Sequence, residues 1–447
     1  MTERPKEATL AGVPEGATQA EEAQRQRAER WSWVEPAVWT ERMLAALETG
    51  VKGGRWFSLM DKVFAERTLR AAWKRVKRNR GAAGVDGQSI KAFEAHAERY
   101  LAELAEAVRA GTYRPEPVRR VWIPKPGRAE RRPLGIPTVK DRVVQTALKL
   151  VLEPIWETEF AEQSYGFRPG RGCKDALRRV QRLLNEGATW VVDVDIQSYF
   201  DGISHDGLLA RCAERIADGG VLRLLEAYLN QGVMAGLERW QPEAGTPQGA
   251  VVSPLLANLY LDPLDKLVAR EGHQLVRYAD DLVVLCRSQS EAEAALETLR
   301  AWATAHGLSL HPEKTRVVDA TQRGGFDFLG YHFERGLRWP RRRSEQQFRD
   351  AIRAKTRRTS GESLATIVTE VNRTVRGWFE YFKHSHWTTF ERLDKWIRMR
   401  LRSVLRHRQG RSGRGRGRDH QRWPNAYFVK LGLFTMTTAR ALAVQSR

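Results

Sequence analysis

Two apolar segments that carry aspartates limit the folds open to this 447-residue chain more than any other feature. The run TWVVDVDI at 189–196 has the length and composition of a buried strand, and it ends in acids. The run LVRYADDLVVLC at 275–286 contains two short apolar stretches that meet at Asp280 and Asp281. This pattern predicts a β-hairpin with acidic residues at its tip.

Helices are predicted around these strands from the spacing of apolar residues. They are expected at 61–77, 141–153, 205–216, 251–268 and 290–307, the last of them starting in a capping box at Ser290. Strand formers occur at 113–122, 189–196, 314–319 and 326–333. After about Trp339 the pattern is helical only, and a basic helix there is expected to project Arg398, Arg400, Arg402 and Arg406 away from its apolar side. The chain is therefore predicted to have an α+β fold followed by a helical region.

The charge of the chain indicates a polyanionic partner. Lys and Arg number 75 against 54 Asp and Glu, which gives a formal net charge of +21. Three isolated cysteines, Cys173, Cys212 and Cys286, form no disulfide framework or Cys-x-x-Cys zinc signature, so they are expected to be buried thiols. Residues 1–30 are expected to be a flexible leader. No signal peptide or membrane span is recognised, so a soluble, cytoplasmic protein is expected.

The acids at the strand ends suggest a metal site. Nucleotidyl transfer uses two Mg²⁺ ions, and Mg²⁺ binds carboxylates together with other oxygen ligands. Asp195 and Asp280 are placed to reach one edge of a sheet, and the carbonyl of Ile196 is a further candidate ligand. A polar hairpin turn and a strand-end cap are the alternatives for each acid taken alone. Two acidic clusters in separate apolar strands favour a shared cation, because packed like charges are destabilising.

Several ordered blocks then resemble one known family. The blocks are GAAGVDG (81–87), RPLGIPTVKDRVVQ (132–145), SYGFRPGRGC (164–173), DIQSYFDGISH (195–205), GTPQGAVVSPLLANLYLD (245–262), YADD (278–281) and FDFLGYHF (326–333). In this order they resemble the blocks of bacterial group II intron reverse transcriptases. RGWFEYF (376–382) and RWPNAYFVKLGLF (422–434) resemble the maturase region of that family.

The resemblance implies roles for individual residues. Asp195, Asp280 and Asp281 look like the catalytic aspartates, with Asp195, Ile196 and Asp280 as metal ligands. Phe200 matches an aromatic residue under the incoming sugar, and a large ring there would exclude a 2′-hydroxyl. The remaining implied nucleotide contacts are Gln248, Lys125 and Arg132. RNA contacts are implied for Arg168, with a structural role as the alternative, and for Arg411, Arg414, Arg416 and Arg418 of an arginine-glycine stretch.

The resemblance also implies an architecture and a function. It implies a right-hand polymerase with a flexible leader at 1–30, an N-terminal extension and fingers at 31–190, an antiparallel palm at 191–340 and a helical thumb and maturase-like region at 341–447. The implied function is RNA-directed DNA polymerisation with two Mg²⁺ ions, together with splicing and intron mobility. The implied partners are intron RNA, an RNA template, a DNA primer or target and deoxynucleotides.

Other functions remain open at this point. A domesticated or antiviral reverse transcriptase would share the same blocks, and an RNA-binding splicing cofactor could keep them in vestigial form. An RNA-dependent RNA polymerase is disfavoured by Phe200. The chain lacks the paired cysteines and histidines of an HNH-type endonuclease region, so it resembles the members without endonuclease.

Overall fold

The computed structural model describes residues 25–124, 131–235, 238–241, 244–246 and 249–445, together with Glu22. Most of the predicted leader lies outside the described residues, but residues 25–30 are helical. Glu48 anchors this start of the chain, because it accepts hydrogen bonds from Arg27 at 2.8 Å and from the indole of Trp31 at 3.1 Å. Ordered structure therefore begins before Trp31, earlier than the sequence predicts.

The described chain combines helices with three small sheets, as expected for an α+β fold. The strands are β1 (Val118–Pro124), β2 (Arg131–Ile136), β3 (Trp190–Asp195), β4 (Val233–Ala235), β5 (Glu238–Trp240), β6 (Gln274–Tyr278), β7 (Asp281–Cys286), β8 (Arg316–Asp319), β9 (Phe326–Phe328), β10 (Tyr331–Glu334) and β11 (Leu337–Pro340). The helices of the first half are α1 (Glu41–Thr49), α2 (Met60–Val63), α3 (Glu66–Asn79), α4 (Ile90–Glu94), α5 (Ala97–Arg109), α6 (Val139–Glu157), α7 (Cys173–Asn185), α8 (Tyr199–Gly202), α9 (His205–Ala213) and α10 (Gly219–Leu229). The later helices are α11 (Ser253–Arg270), α12 (Gln289–Ala305), α13 (Arg342–Lys355), α14 (Leu364–Phe382), α15 (Trp387–Arg408), α16 (Arg418–Arg422), α17 (Asn425–Lys430) and α18 (Met436–Gln445), with a short 3-10 turn at Lys52–Gly54.

The central sheet has the strand order β6-β7-β3-β8, and all of its neighbouring strands are antiparallel. Both predicted features, the apolar strand and the acidic hairpin, are confirmed in it. Along β3, alternate residues face opposite sides. Val192 and Val194 face the main helical core, whereas Val191 packs in a second core with α7 and the β9–β10 hairpin. Asp193 and Asp195 share the side of Val191.

The other two sheets flank this one. The first has the order β2-β1-β4-β5, and the second is the meander β9-β10-β11. Phe326, Phe328, Tyr331 and Phe333 of the meander are buried against the central sheet and Phe382 of α14. The meander therefore joins the central sheet to the C-terminal helices, which enclose a separate apolar core.

Some predicted element boundaries are wrong. The helix predicted at 61–77 is divided into α2 and α3 at Phe64–Ala65. The cap of α12 is Ser288 rather than Ser290: the Ser288 hydroxyl accepts from the amide of Glu291 at 3.2 Å. Within the described part of the chain, every helix is too short or too polar to cross a lipid bilayer.

Candidate active site

The tip of the β6–β7 hairpin lies beside the end of β3. Tyr278 and Asp281 are partners across the hairpin, so Ala279 and Asp280 form a two-residue loop. On the other side of β7, Asp281 is the direct partner of Asp195. Paired positions in antiparallel strands have Cα atoms about 5 Å apart. The fold therefore brings Asp195, Asp280 and Asp281 to one edge of the sheet, as the sequence predicts.

A buried arginine supports this loop from within. Ala279 has a φ of 59°, a conformation that two-residue hairpin turns require at their first position and that alanine rarely adopts. Arg277, with 0% exposure, donates to the Ala279 carbonyl at 3.0 Å and to Asn258 Oδ1 at 2.9 Å. Its other nitrogens form a two-pronged ion pair with Asp265, which is also fully buried. This network fixes the backbone from which Asp280 projects.

Residues 164–167, with the sequence SYGF, pack beside β6 of the hairpin. The amide of Arg277 donates to the Gln163 carbonyl at 2.9 Å, and the amide of Tyr165 donates to the Arg277 carbonyl at 2.8 Å. Asn258 donates to the Gly166 carbonyl at 2.7 Å. A Cβ atom at Gly166 would lie 2.3 Å from the Ala279 amide nitrogen, so the contact requires glycine. The segment thus packs directly on the loop that carries Asp280.

The acids at this edge destabilise one another's charged forms. Partial burial and the charge of Asp195 raise the pKa of Asp280, although Asp280 is at the exposed tip. Burial raises the pKa of half-buried Asp281 to about 7, and the charges of Asp193 and Asp280 add to this shift. Burial likewise raises the pKa of Asp193 to about 6. Such a cluster has the charge and ligand type expected of a divalent-cation site.

Two cations that sequence reasoning missed lie next to these acids. Lys314 Nζ is 3.1 Å from one carboxylate oxygen of Asp195 and 3.3 Å from the other. Arg316 makes a longer ion pair with Asp193 at 3.5 Å. Both cations lie in the KTRVVD block: Lys314 is in the turn before β8, and Arg316 is the first residue of β8, where it is the direct partner of Asp193. No local signal in the sequence pairs them with acids that lie 119 and 123 residues away.

The backbone at Ile196 also fits a cation site. Two hydrogen bonds join residues 195–197 to residues 309–311. The amide of Gln197 donates to the Ser309 carbonyl at 2.8 Å, and the amide of His311 donates to the Asp195 carbonyl at 2.7 Å. Ile196 is therefore in the non-hydrogen-bonded position opposite Leu310. In that position its own carbonyl points away from Leu310, towards the hairpin side, where a metal held by Asp195 would lie.

A connecting residue couples Asp281 to the C-terminal helices. The amide of Leu329, in the turn between β9 and β10, lies beside the Asp281 carboxyl and partly offsets the rise in its pKa. The Leu329 carbonyl accepts from the hydroxyl of Tyr381 on α14 at 2.7 Å. Leu329 has a φ of 47°, in the left-handed region that residues other than glycine rarely adopt.

The predicted nucleotide contacts are described only in part. Phe200 lies on α8 with its ring partly buried against the main core, next to Tyr199. Arg132 is exposed on β2. Lys125 and Gln248 lie outside the described residues. The ends of the loop that contains Gln248 are nevertheless anchored: the amide of Thr246 donates to the Phe200 carbonyl at 2.8 Å, and that of Val251 to Gln145 at 2.7 Å.

Arg168 is a structural arginine, which corrects the predicted RNA contact. Its side chain is 2% exposed and forms an ion pair with Glu157 at 2.7 Å. It also donates to the carbonyls of Ala161 and Ser164 at 2.6 and 2.9 Å. The Arg168 guanidinium therefore bonds to groups inside the protein, and it stabilises the turn that precedes the Arg-Pro-Gly sequence.

The arginines of α15 and of the arginine-glycine stretch differ in exposure. Arg402 is 3% exposed and donates to the Trp423 carbonyl at 2.9 Å, so the prediction that it projects from the helix is wrong. Arg406 is paired with Asp419 at 2.7 Å, and Asp419 also accepts from the amide of Arg416 at 3.0 Å. The arginine-glycine stretch is thereby attached to α15. Its four predicted RNA-binding side chains are all exposed: Arg411, Arg414, Arg416 and Arg418.

Comparison with known families identifies two domains in the chain. Residues 123–333 match the family described as reverse transcriptase (RNA-dependent DNA polymerase), and these residues include the whole acidic edge. Residues 345–423 match the maturase-specific domain of group II introns. The chain thus has a reverse transcriptase domain with a reverse transcriptase fold, followed by a maturase domain.

Three curated relatives extend the comparison. The chain is 33% identical over 328 residues to protein YkfC of Escherichia coli, covering 64% of this chain and 84% of YkfC. It is 38% identical over 199 residues to the group II intron-encoded protein LtrA of Lactococcus lactis, covering 44% of this chain and 33% of LtrA. It is 36% identical over 184 residues to an uncharacterized 91 kDa protein in the cob intron of Schizosaccharomyces pombe, covering 41% of this chain and 22% of that protein.

These similarities establish the family. The chain belongs to the group II intron reverse transcriptase and maturase family. The matching region spans about a third of the length of the intron-encoded relative LtrA.

Proposed function

We propose that this protein is an RNA-directed DNA polymerase that copies RNA into DNA. The observation that carries the proposal is the juxtaposition of Asp195, Asp280 and Asp281 at one edge of an antiparallel sheet, where burial and mutual repulsion raise the pKa values of Asp280 and Asp281. Within this proposal, residues 31–190 form the N-terminal extension and fingers, 191–340 the palm, and 341–447 the thumb and maturase-like region.

The proposed metal ligands are the carboxylates of Asp195 and Asp280 and the carbonyl of Ile196. Two Mg²⁺ ions bound there would activate the 3′-hydroxyl of the primer and neutralise charge on the triphosphate. Asp281, which is the direct partner of Asp195 across the strands, is proposed as the third catalytic aspartate. Without bound metal, the Lys314 ammonium neutralises the charge of the Asp195 carboxylate. Binding of a divalent ion to Asp195 would weaken this ion pair.

The proposed nucleotide contacts surround this edge. The partly exposed ring of Phe200 restricts the space for a ribose 2′-hydroxyl, so deoxynucleotides are the expected substrates. Lys125 and Arg132 are proposed to bind the triphosphate, and Gln248 to contact the nucleotide near its 3′-hydroxyl. Arginine-rich surface at 411–418 is proposed to bind RNA through its phosphates, with intron RNA, splicing and mobility at a DNA target as the biological setting.

Primer extension tests the catalytic assignment. With an RNA template, a DNA primer and Mg²⁺, we expect Asp280→Asn to lower the extension rate by about 10²- to 10³-fold, because a group that stabilises charge at the reacting centre is lost. The matched control is Asp206→Asn, an exposed acid on α9, which should extend at the rate of the unmodified chain. Extension that survives the Asp280 substitution would contradict the proposal.

Sugar selection is tested separately. Phe200→Ala should raise the use of ribonucleotides relative to deoxynucleotides by about 10- to 200-fold, since one steric contact is removed. The measurement is the ratio of single-nucleotide incorporation rates with matched ribo- and deoxynucleotides. An unmodified chain that used both equally would refute the role of Phe200 without affecting the metal assignment.

A further inference from the structure

A second group of metal-binding side chains lies at the opposite end of the β6–β7 hairpin from Asp280. His273 immediately precedes β6, Cys286 is the last residue of β7, and Glu291 is in the first turn of α12. One ligand atom from each, an imidazole nitrogen, the thiol sulfur and a carboxylate oxygen, lies within 4.8 Å of the other two. Three separate elements of the fold therefore meet at this point.

His273 has an unsatisfied buried atom that faces the group. Its Nδ1 is buried and has no hydrogen-bond partner among the described residues. The nearest acidic oxygen, Oε1 of Glu291, is 3.7 Å away, which is too far for a hydrogen bond. Leaving a buried polar atom without a partner is unfavourable, so a bound ion or water is expected next to it.

The carboxylates around His273 are held in place by other bonds. The amide of Arg287 donates to Glu291 Oε2 at 2.8 Å, which leaves Oε1 directed at the imidazole. On the other side of the ring, Glu271 Oε2 is 3.9 Å from Nε2 and accepts from the hydroxyl of Thr298 at 2.7 Å. At 3.9 Å Glu271 does not form a hydrogen bond with the ring, but it lies at the second ring nitrogen, where a carboxylate commonly orients a metal-bound histidine.

We propose that His273 Nδ1, Cys286 Sγ and Glu291 Oε1 bind one zinc ion, or a transition-metal ion of similar ligand preference, as a structural site. A nitrogen, a sulfur and a carboxylate oxygen suit zinc, whereas Mg²⁺ prefers oxygen ligands only. Neighbouring ligands of tetrahedral zinc are about 3.5 Å apart, so the group has to contract by about 1 Å. Glu291 is only partly buried, so its Oε1 can move towards the other two ligands while Oε2 keeps the bond from the Arg287 amide, and water is the expected fourth ligand.

Binding has a defined proton balance. Burial, together with the charge of Glu291, raises the pKa of the Cys286 thiol to about 12, so the cysteine is a neutral thiol in the absence of metal. The sulfur–hydrogen bond is replaced by a sulfur–zinc bond, and one proton is released to solvent. His273 binds as the neutral imidazole.

The site would link three elements at the base of the hairpin. Cys286 is five residues along β7 from Asp281, which corresponds to about 17 Å. An ion there is too distant to take part in nucleotidyl transfer, and it would instead hold the start of β6 and the end of β7 to α12. The proposal is thus independent of the polymerase assignment.

Metal analysis of the whole chain tests the site. We expect protein purified without chelator to retain one zinc per chain after dialysis, and cobalt substitution to give the near-ultraviolet absorption of a cobalt–thiolate bond. Cys286→Ser and His273→Ala should lose both. Cys212→Ser is the matched control, since Cys212 is equally buried but lies elsewhere, and Asp280→Asn tests the catalytic edge; both should keep the ion.

Two outcomes would overturn the proposal. One is an unmodified chain that holds no zinc or cobalt at micromolar metal, in which case water satisfies His273. The other is retention of the ion, with its cobalt–thiolate band, in Cys286→Ser. If that variant does not fold, Glu291→Gln serves instead, because it keeps an acceptor for the Arg287 amide; unchanged zinc affinity in this variant would equally exclude the site.

Discussion

Charged side chains occur in two arrangements around the β6–β7 hairpin. Below the loop, Arg277 is matched by Asp265 and its remaining hydrogen-bonding capacity is used by Asn258 and the Ala279 carbonyl. At the tip, carboxylates face carboxylates, and the pKa values of Asp280 and Asp281 are raised. The charges that shape the loop are compensated within the chain, whereas of the three acids proposed for catalysis only Asp195 has an ion-pair partner among the described residues, Lys314. Stability and function are thus assigned to different charges a few residues apart.

The largest effect should follow from breaking the compensated arrangement. Arg277→Met leaves Asp265 as a buried charge without its partner, which typically costs about 3–5 kcal/mol. We expect the free energy of unfolding, measured with urea, to fall by this amount. Adding Asp265→Leu should restore much of the loss. A change below about 1 kcal/mol in the single variant would show that the pair does not support the hairpin.

A third buried acid, Asp141, sharpens the comparison because hydrogen bonds alone compensate it. Burial raises its pKa to about 6, although Tyr113 and Thr138 donate to it, and Tyr228 and Arg142 lie nearby. The folded state therefore holds this proton more tightly than the unfolded state, whose carboxyl has a pKa near 3.8.

Stability should then decrease as pH rises from about 4 to about 6, by up to about 3 kcal/mol, and stay level above that range. The measurement is the free energy of unfolding against pH for the unmodified chain and for Asp141→Asn. The difference between the two curves isolates the contribution of Asp141. Parallel curves would mean that Asp141 does not titrate in this range.

A smaller effect of opposite sign is expected at the tip. Without divalent metal, Asp280→Asn removes like-charge repulsion with Asp195, so the free energy of unfolding should rise by a few tenths to about 1 kcal/mol. Mg²⁺ should stabilise the unmodified chain and have less effect on the variant. Thermal unfolding with chelator and with Mg²⁺ measures both. If Asp280→Asn instead lowered the free energy of unfolding, the Asp280 charge would be compensated within the chain, as those of Arg277 and Asp265 are.

The smallest effect concerns charges that are exposed throughout. Arg414→Gln with Arg416→Gln should lower the salt dependence of RNA binding, expressed as the slope of log K against log salt, by about 1.4, since each phosphate contact contributes about 0.7. Arg42→Gln with Arg67→Gln, two exposed arginines on α1 and α3, is the matched control. Equal slopes in both variants would remove the arginine-glycine stretch from the proposed RNA surface.

The central sheet could be predicted because its signals are local. The apolar runs at 189–196 and 275–286 identify β3 and the β6–β7 hairpin, and their acids identify the candidate site. By contrast, β4 and β5 are three residues each and leave no periodic signal. The pattern of apolar residues predicts where a helix or strand lies, but it does not predict which polar residues of that element are exposed to solvent.

Roles that depend on contacts distant in sequence could not be read from the chain. Arg402 stands in a basic segment and was expected to be available, yet it is buried and donates to Trp423, 21 residues away. Arg168 is also buried, on partners only 4 to 11 residues before it, but these lie at the end of α6 and in the loop that follows, which has no periodic pattern to predict the contact. Lys314 lies 119 residues from Asp195, and nothing local indicates their ion pair. Similarly, the absence of a Cys-x-x-Cys motif gave no hint that Cys286 would meet His273 and Glu291.

The position of Leu329 has a practical consequence for dividing this protein into parts. Its amide lies beside Asp281 and its carbonyl accepts from Tyr381, so a fragment that ended before α14 would keep every aspartate of the acidic edge and lose the hydroxyl that bonds to this turn. In such a fragment the Leu329 carbonyl would accept from water instead of from Tyr381. The natural unit for expression or domain exchange therefore runs through α14.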